Sequence, residues 1–108
     1  MKENPYEDGY TVGASFAEYH FGMWQDAEDP PLPWPTAVWD LHMFVEDCLP
    51  RMRLAFGARM AQDLRAAGFD PEYLPIPRAL TEGVDAGYRA WLTELLNEFL
   101  KRRGMRGY

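Results

Sequence analysis

The 108-residue sequence lacks the features that mark membrane-spanning, secreted or disulfide-linked proteins. Cys48 is the only cysteine, so an intramolecular disulfide is excluded. No apolar run approaches the roughly 20 residues that a membrane-spanning helix needs. Residues 1–9 contain no apolar core of a signal peptide. We therefore expect a soluble protein of a reducing compartment, the cytoplasm.

Motifs for metal binding and catalysis are also missing. There is no Cys-x-x-Cys, no His-Glu-x-x-His, no Glu-x-x-His and no glycine-rich phosphate loop. His42 and Glu46 share one helical face, and a metal site or enzyme built from them and His20 is the weakest of our hypotheses. Cys48 and His42 are six residues apart, on opposed faces of a helix, so we expect an inert buried thiol. We expect no cofactor, no metal and no enzymatic activity.

Residues that favour β-sheets are scarce. Valine and isoleucine together occur only five times, and no stretch alternates between apolar and polar residues. Apolar residues instead recur at helical spacing, and hydrophobic residues make up 47% of the chain. The sequence therefore predicts a small all-α, single-domain bundle of three main helices over residues 1–108.

The first helix is predicted over residues 15–27, because Ser15 and Glu18 match a capping box. An earlier start at Thr11 is the alternative. Residues 1–10 carry turn formers and acids, and we expect them to be loosely ordered.

The second helix is predicted from a cap at Thr36 to a glycine C-cap at Gly68. Pro50 either kinks this helix or begins a new one. Asp70 caps a single turn in the following connection. The last helix begins near Pro77 or near Thr81 and continues to Gly104.

Four prolines between the first two helices predict an extended, stiff segment over residues 29–35. The segment either docks into an aromatic groove of a partner or connects the helices while Trp34 and Trp39 pack on the core. We favour the connector, because a single Pro-x-x-Pro is a weak match.

Gly83 and Gly87 are four residues apart and would form a small-residue face on the last helix. Such a face indicates close helix packing, either within the chain or between two copies. The alternative is that residues 81–87 are partly loop, with Asp85 as the true N-cap. The sequence leaves these possibilities open.

Charge is distributed unevenly along the chain. Residues 1–50 contain one base and ten acids, whereas residues 51–108 contain ten bases and seven acids. An acidic half repels nucleic acid and attracts basic protein surfaces. The alternative is that the two halves neutralise each other within the fold.

This profile predicts a non-catalytic, acidic protein-binding module that inhibits or adapts a larger machine. Phage- or plasmid-encoded inhibitors of nucleic-acid-processing complexes, of the anti-CRISPR or anti-restriction type, share the profile. We expect a partner protein with a basic surface, without direct binding to nucleic acid or membrane. The predicted partner-binding residues surround the proline segment and the second helix: Glu28, Asp29, Trp34, Asp40, Glu46 and Asp47.

The alternative function is a structural or accessory subunit, or a homodimer, that docks through its last helix. The apolar stripe of that helix is wider than one core contact requires. Its predicted docking face comprises Trp91, Leu92, Leu95, Leu96 and Phe99.

Overall fold

Over the residues that the structure describes, the fold is a bundle of three long helices, which confirms the predicted all-α class. The computed structural model describes residues 4–27, 34–35, 38–70, 72 and 76–102, with the backbone alone at 27, 38 and 39. The helices are α1 (Pro5–Ala27), α2 (Val38–Ala66) and α3 (Arg78–Arg102). Over these residues, none of the helices has the length and apolarity that crossing a bilayer requires.

Helix α1 begins at Pro5, earlier than either predicted start. The side-chain oxygen of Asn4 accepts hydrogen bonds from the backbone N–H groups of Tyr6 and Glu7, at 3.1 and 3.3 Å. Asn4 is therefore the N-cap, and Pro5 occupies the first helical position, where a missing N–H does no harm. The predicted capping box at Ser15 is wrong, because the Ser15 hydroxyl donates to the Thr11 carbonyl in the helix interior at 3.0 Å.

Helix α2 continues through Pro50, so the proline does not begin a separate helix. Its ring is exposed.

The predicted C-cap at Gly68 is confirmed: Gly68 has a φ of 88°, which favours glycine. The Phe69 N–H bonds the Leu64 carbonyl at 2.8 Å and the Gly68 N–H bonds the Arg65 carbonyl at 3.0 Å, the paired bonds of a Schellman motif.

Residues 81–87 lie inside α3, which decides the open question about this stretch in favour of a helix. The backbone N–H groups of Leu80 and Thr81 bond the Pro77 carbonyl, so the helix begins at the earlier of the two predicted starts. Lys101 and Arg102 lie in its last turn, where they favour the helix dipole. The predicted end at Gly104 lies outside the described residues.

Four glycines bring α1 and α3 into backbone contact. Gly9 lies against Leu80 and Val84, and Gly13 lies against Val84 and Tyr88, so the two helices run parallel. On the other side of the contact, Gly83 and Gly87 of α3 lie against the backbone of Tyr6 and Tyr10. The small-residue face is therefore an intramolecular contact. Both glycine pairs have a four-residue spacing, which places each pair on one face of its helix.

Helix α2 runs antiparallel to α3 and is joined to it by two ion pairs. Arg53 donates to both carboxylate oxygens of Asp85, and Arg89 donates to both oxygens of Glu46, at 2.9–3.2 Å. Two parallel hydrogen bonds between a guanidinium and a carboxylate fix the relative orientation of the two side chains and strengthen their interaction. The register of α2 on α3 is therefore set by charge as well as by the apolar core.

The hydrophobic core lies along α3 and is densely aromatic where α1 ends and α2 begins. There the Trp24 ring meets Phe44 edge-on, with ring centroids 6.0 Å apart. Phe21 meets Phe99 in the same way at 5.7 Å. Toward the start of α1 the two outer helices touch through Phe16 and Phe56, whose ring centroids are 6.4 Å apart. Helices α1 and α2 therefore both pack against α3, and aromatic rings fill one end of the space between α1 and α2.

Candidate protein-binding surfaces

Two of the six predicted partner-binding residues, Glu28 and Asp29, lie outside the described residues. A third, Trp34, is half-buried and packs against the core. Its ring stacks on Phe44 at 6.1 Å and contacts Phe99 at 4.7 Å. Pro35 beside it is buried. The favoured interpretation of Trp34 as a residue that packs on the core is therefore confirmed; the rest of the proline segment lies outside the described residues.

Glu46, the fourth predicted residue, faces α3. The Arg89 guanidinium that donates to its carboxylate lowers the pKa of Glu46. The side chains of both residues remain partly exposed, at 38% for Glu46 and 44% for Arg89. This carboxylate already has a partner within the chain, so it is less available to a basic protein than its sequence position indicates.

The last two predicted residues, Asp40 and Asp47, lie two turns apart on one face of α2, as expected from their spacing. Met43 lies between them and has 64% of its surface exposed; Leu54 lies two turns beyond Asp47 and has 76% exposed. We call these four residues the outer face of α2. Arg51 is exposed at the edge of this face. Sequence reasoning missed the two apolar members, although both fall outside the apolar stripe that continues into the core.

The predicted docking face on the last helix lies mostly within the core. Leu92 and Leu96 are fully buried and Phe99 is 7% exposed. Leu95 is partly buried. Trp91 is 39% exposed, and its indole N–H donates to Glu18 at 2.8 Å. The wide apolar stripe of α3 is explained by its central position, because α1 and α2 both pack against it.

His20 and Tyr88 form a partly buried polar pair within the core. The His20 Nδ1 and the Tyr88 hydroxyl lie 3.2 Å apart and share a hydrogen bond. Burial lowers the pKa of His20 and raises that of Tyr88. His42 is exposed on α2, far along the sequence from this pair. Within the described part of the chain, no group of three or more His, Cys, Asp or Glu residues is placed to hold a metal ion.

The lowered pKa of His20 predicts that stability decreases with mild acidification. Below about pH 6.5 the unfolded chain takes up a proton that the folded chain resists, so the free energy of unfolding falls until the folded pKa is reached. The slope is at most about 1.4 kcal/mol per pH unit. Urea unfolding between pH 7.5 and 5.2 measures it. His20→Gln should flatten the profile, and a profile that this variant leaves as steep as that of the unchanged protein would contradict this origin.

Cys48 is buried in the core, as predicted. Desolvation raises the pKa of its thiol to about 11. A thiol with such a pKa is almost entirely protonated at neutral pH, and the protonated form is a poor nucleophile. Its role in the described structure is packing.

A groove lies between α1 and the C-terminal half of α2, at the end of the bundle away from Trp24 and Phe44. It has a volume of about 630 Å³. Its apolar lining comes from all three helices: Val12, Phe16, Phe56, Met60 and Leu80. Sequence reasoning did not find it, because all of these residues occur at spacings that also suit a closed core.

Comparison of the chain with protein-family models, with curated proteins and with solved structures found no match. The surfaces described above are therefore the basis on which a function is inferred.

Proposed function

We propose that this protein is an acidic protein-binding module that engages a basic surface of a partner through the outer face of α2. A nucleic-acid-processing complex is the class of partner that fits, because its basic groove would accept the carboxylates of Asp40 and Asp47. The module would inhibit or adapt that complex by occupying the groove.

The observation that carries the proposal is the combination of acids and exposed apolar side chains on one face of one helix. Asp47 supplies charge that attracts a basic partner over a distance. Met43 and Leu54 supply apolar area whose burial would stabilise the complex once it has formed. A methionine adapts its shape to different surfaces, which suits a contact residue. Neither Met43 nor Leu54 belongs to the hydrophobic core that the described residues form.

The proposal predicts that reversing one charge on this face abolishes capture of the partner. Tagged protein is used to capture proteins from a lysate of the source cell at about 50 and 300 mM salt, with identification by mass spectrometry. We expect one partner, retained at low salt and reduced at high salt. Asp47→Lys should reduce its recovery at least tenfold, and Met43→Ser should reduce it severalfold.

Glu94→Lys is the matched control. Glu94 is exposed on α3, so this variant has the same net charge as Asp47→Lys but an intact outer face of α2. Retention of the partner by Glu94→Lys supports the proposal. Equal loss with both variants would mean that only net charge matters, and unchanged recovery with Asp47→Lys would exclude this face.

A further inference from the structure

The exposed side of α2 carries an apolar stripe that continues beyond the outer face toward the end of the helix. We call it the α2 stripe. Its members in successive turns are three or four residues apart, so they lie on one side of a continuous helix. An acid begins the stripe, a base ends it, and apolar or small residues lie between them: Asp47, Pro50, Leu54, Gly57, Ala58, Ala61 and Arg65. None of these seven residues is buried.

The middle of the α2 stripe is open to solvent. Leu54 is 76% exposed and is not a member of the hydrophobic core that the described residues form. A Cβ added at Gly57 would meet no atom of another described part of the fold within 4 Å. Glycine in a helix interior loses more conformational entropy on folding than alanine does, so the helix alone would favour a larger residue there. A protruding leucine and a nearby glycine that leaves room are complementary to each other across an interface.

Small residues let a second helix approach the α2 stripe closely. The distance between two packed helices depends on the side chains at their contact, and Gly57, Ala58 and Ala61 have the smallest side chains. Asp47, Leu54 and Ala61 recur every seven residues, the spacing with which a helix keeps one seam facing a second helix over several turns. From Asp47 to the base at its other end the stripe is about 27 Å long, at about 1.5 Å per residue. The stripe therefore suits a helix of similar length.

The charges at the two ends of the stripe indicate that this helix is a second copy of α2. In a parallel pair, Asp47 would lie against Asp47 and Arg65 against Arg65, and like charges in contact oppose association. In an antiparallel pair, Asp47 of each copy lies against Arg65 of the other. Leu54 of each copy then faces Ala58 of the other, beside Gly57, because both pairs of positions are centred on position 56. The stripe is thus self-complementary, as a two-fold symmetric interface requires.

We propose that two copies of this protein pair through antiparallel contact of their α2 stripes. The inference rests on the proposed function in one respect: Asp47 and Leu54 belong both to the stripe and to the outer face of α2, so the dimer covers the surface that would engage the basic partner. A single pair of helices makes a small interface, which is typical of transient association. The dimer therefore forms in concentrated protein, and in dilute solution it gives way to the partner.

Sedimentation velocity of the purified full-length protein tests the pairing. We expect a reversible shift from monomer to dimer within a range of about 1 µM to 1 mM. Asp47→Arg and Arg65→Asp should each raise the dissociation constant at least tenfold, because each places like charges together twice in the symmetric dimer. The variant with both substitutions should restore the dimer, and so should an equimolar mixture of the two single variants. Restoration also shows that the single variants fold.

Two further variants separate packing from charge. Gly57→Gln keeps the net charge and adds a side chain where Leu54 of the second copy packs, so it should weaken the dimer severalfold. Glu94→Arg has the same net charge as Asp47→Arg but changes the exposed side of α3, so it should leave the dissociation constant unchanged. Equal weakening by Glu94→Arg and Asp47→Arg would show that only net charge matters and would overturn the inference.

Co-expression of a tagged and an untagged copy tests whether the dimer excludes the partner. Concentrated tagged protein should retain the untagged copy. After capture at low protein concentration, the fraction that contains the partner should contain no untagged copy. An untagged copy recovered together with the partner would place the two contacts on different surfaces and would overturn the inference.

The dimer and the proposed function fail separately. A protein that stays monomeric up to about 1 mM, yet captures its partner only with Asp47 intact, overturns the dimer alone. A dimer that the charge exchange weakens and restores, with partner capture that Asp47→Lys leaves unchanged, supports the dimer and excludes the proposed function. A dimer that neither charge reversal weakens lies on another surface and overturns the inference.

Discussion

Replacing Gly13 or Gly87 by alanine is expected to destabilise the protein by at least about 3 kcal/mol, the upper part of the range for overpacked sites. A Cβ at Gly13 would overlap the Val84 carbonyl, and a Cβ at Gly87 would overlap the Tyr10 carbonyl. Both obstacles are backbone atoms of a helix, which cannot rotate away. The two helices would have to separate, and separation would loosen the core around the fully buried Tyr88.

Gly22 and Gly57 provide matched controls, because a Cβ added at either position would meet no atom of another described part of the fold within 4 Å. Alanine there should stabilise the protein by about 0.5–1 kcal/mol, since glycine in a helix interior loses more conformational entropy on folding. Chemical unfolding of the four variants measures the difference. Similar free energies for all four would contradict backbone contact between α1 and α3.

Leu96→Ala is expected to destabilise the protein by about 2–5 kcal/mol, as truncation of a fully buried leucine does. Leu96 has no exposed surface and lies in the central helix between α1 and α2. Loss of its methyl groups leaves a cavity that the two outer helices cannot both close. Thermal and urea unfolding measure the loss.

Trp91→Ala is the comparison, because Trp91 is 39% exposed on the same helix. It loses one hydrogen bond to Glu18 and part of its packing, so we expect a smaller effect of about 1–2 kcal/mol. If Leu96→Ala left stability unchanged and instead altered self-association, Leu96 would belong to a docking face, as the alternative hypothesis from sequence held.

The helical class was predictable because it depends on apolar spacing alone, but the start of α1 was misread. Asn4 followed by Pro5 is as good a helix start as Ser15 with Glu18, and spacing does not choose between two caps. The residue at which α1 begins depends on α3, because the contacts of Gly9 and Gly13 with α3 extend the helix to its first turn at Pro5. Tertiary contact of this kind is invisible in a local pattern.

The charges of the candidate surfaces were predictable from the sequence, but the directions in which their side chains point were not. Asp40 and Asp47 share a face because both lie on one continuous helix, which their spacing already required. Glu46 is only one residue away from Asp47, yet it turns to Arg89 on α3. The exposure of Met43 and Leu54 depends on which side of α2 packs against the core, and the groove depends on how all three helices pack together.

Site-specific photo-crosslinking in the source cell tests the binding function most directly. A benzoyl-phenylalanine is placed at position 54, on the outer face of α2, or at position 94, on the exposed side of α3. The account predicts one discrete adduct with a basic protein from position 54, lost with Asp47→Lys, and none from position 94. An adduct from position 94 alone, or one from position 54 that Asp47→Lys leaves intact, would contradict it.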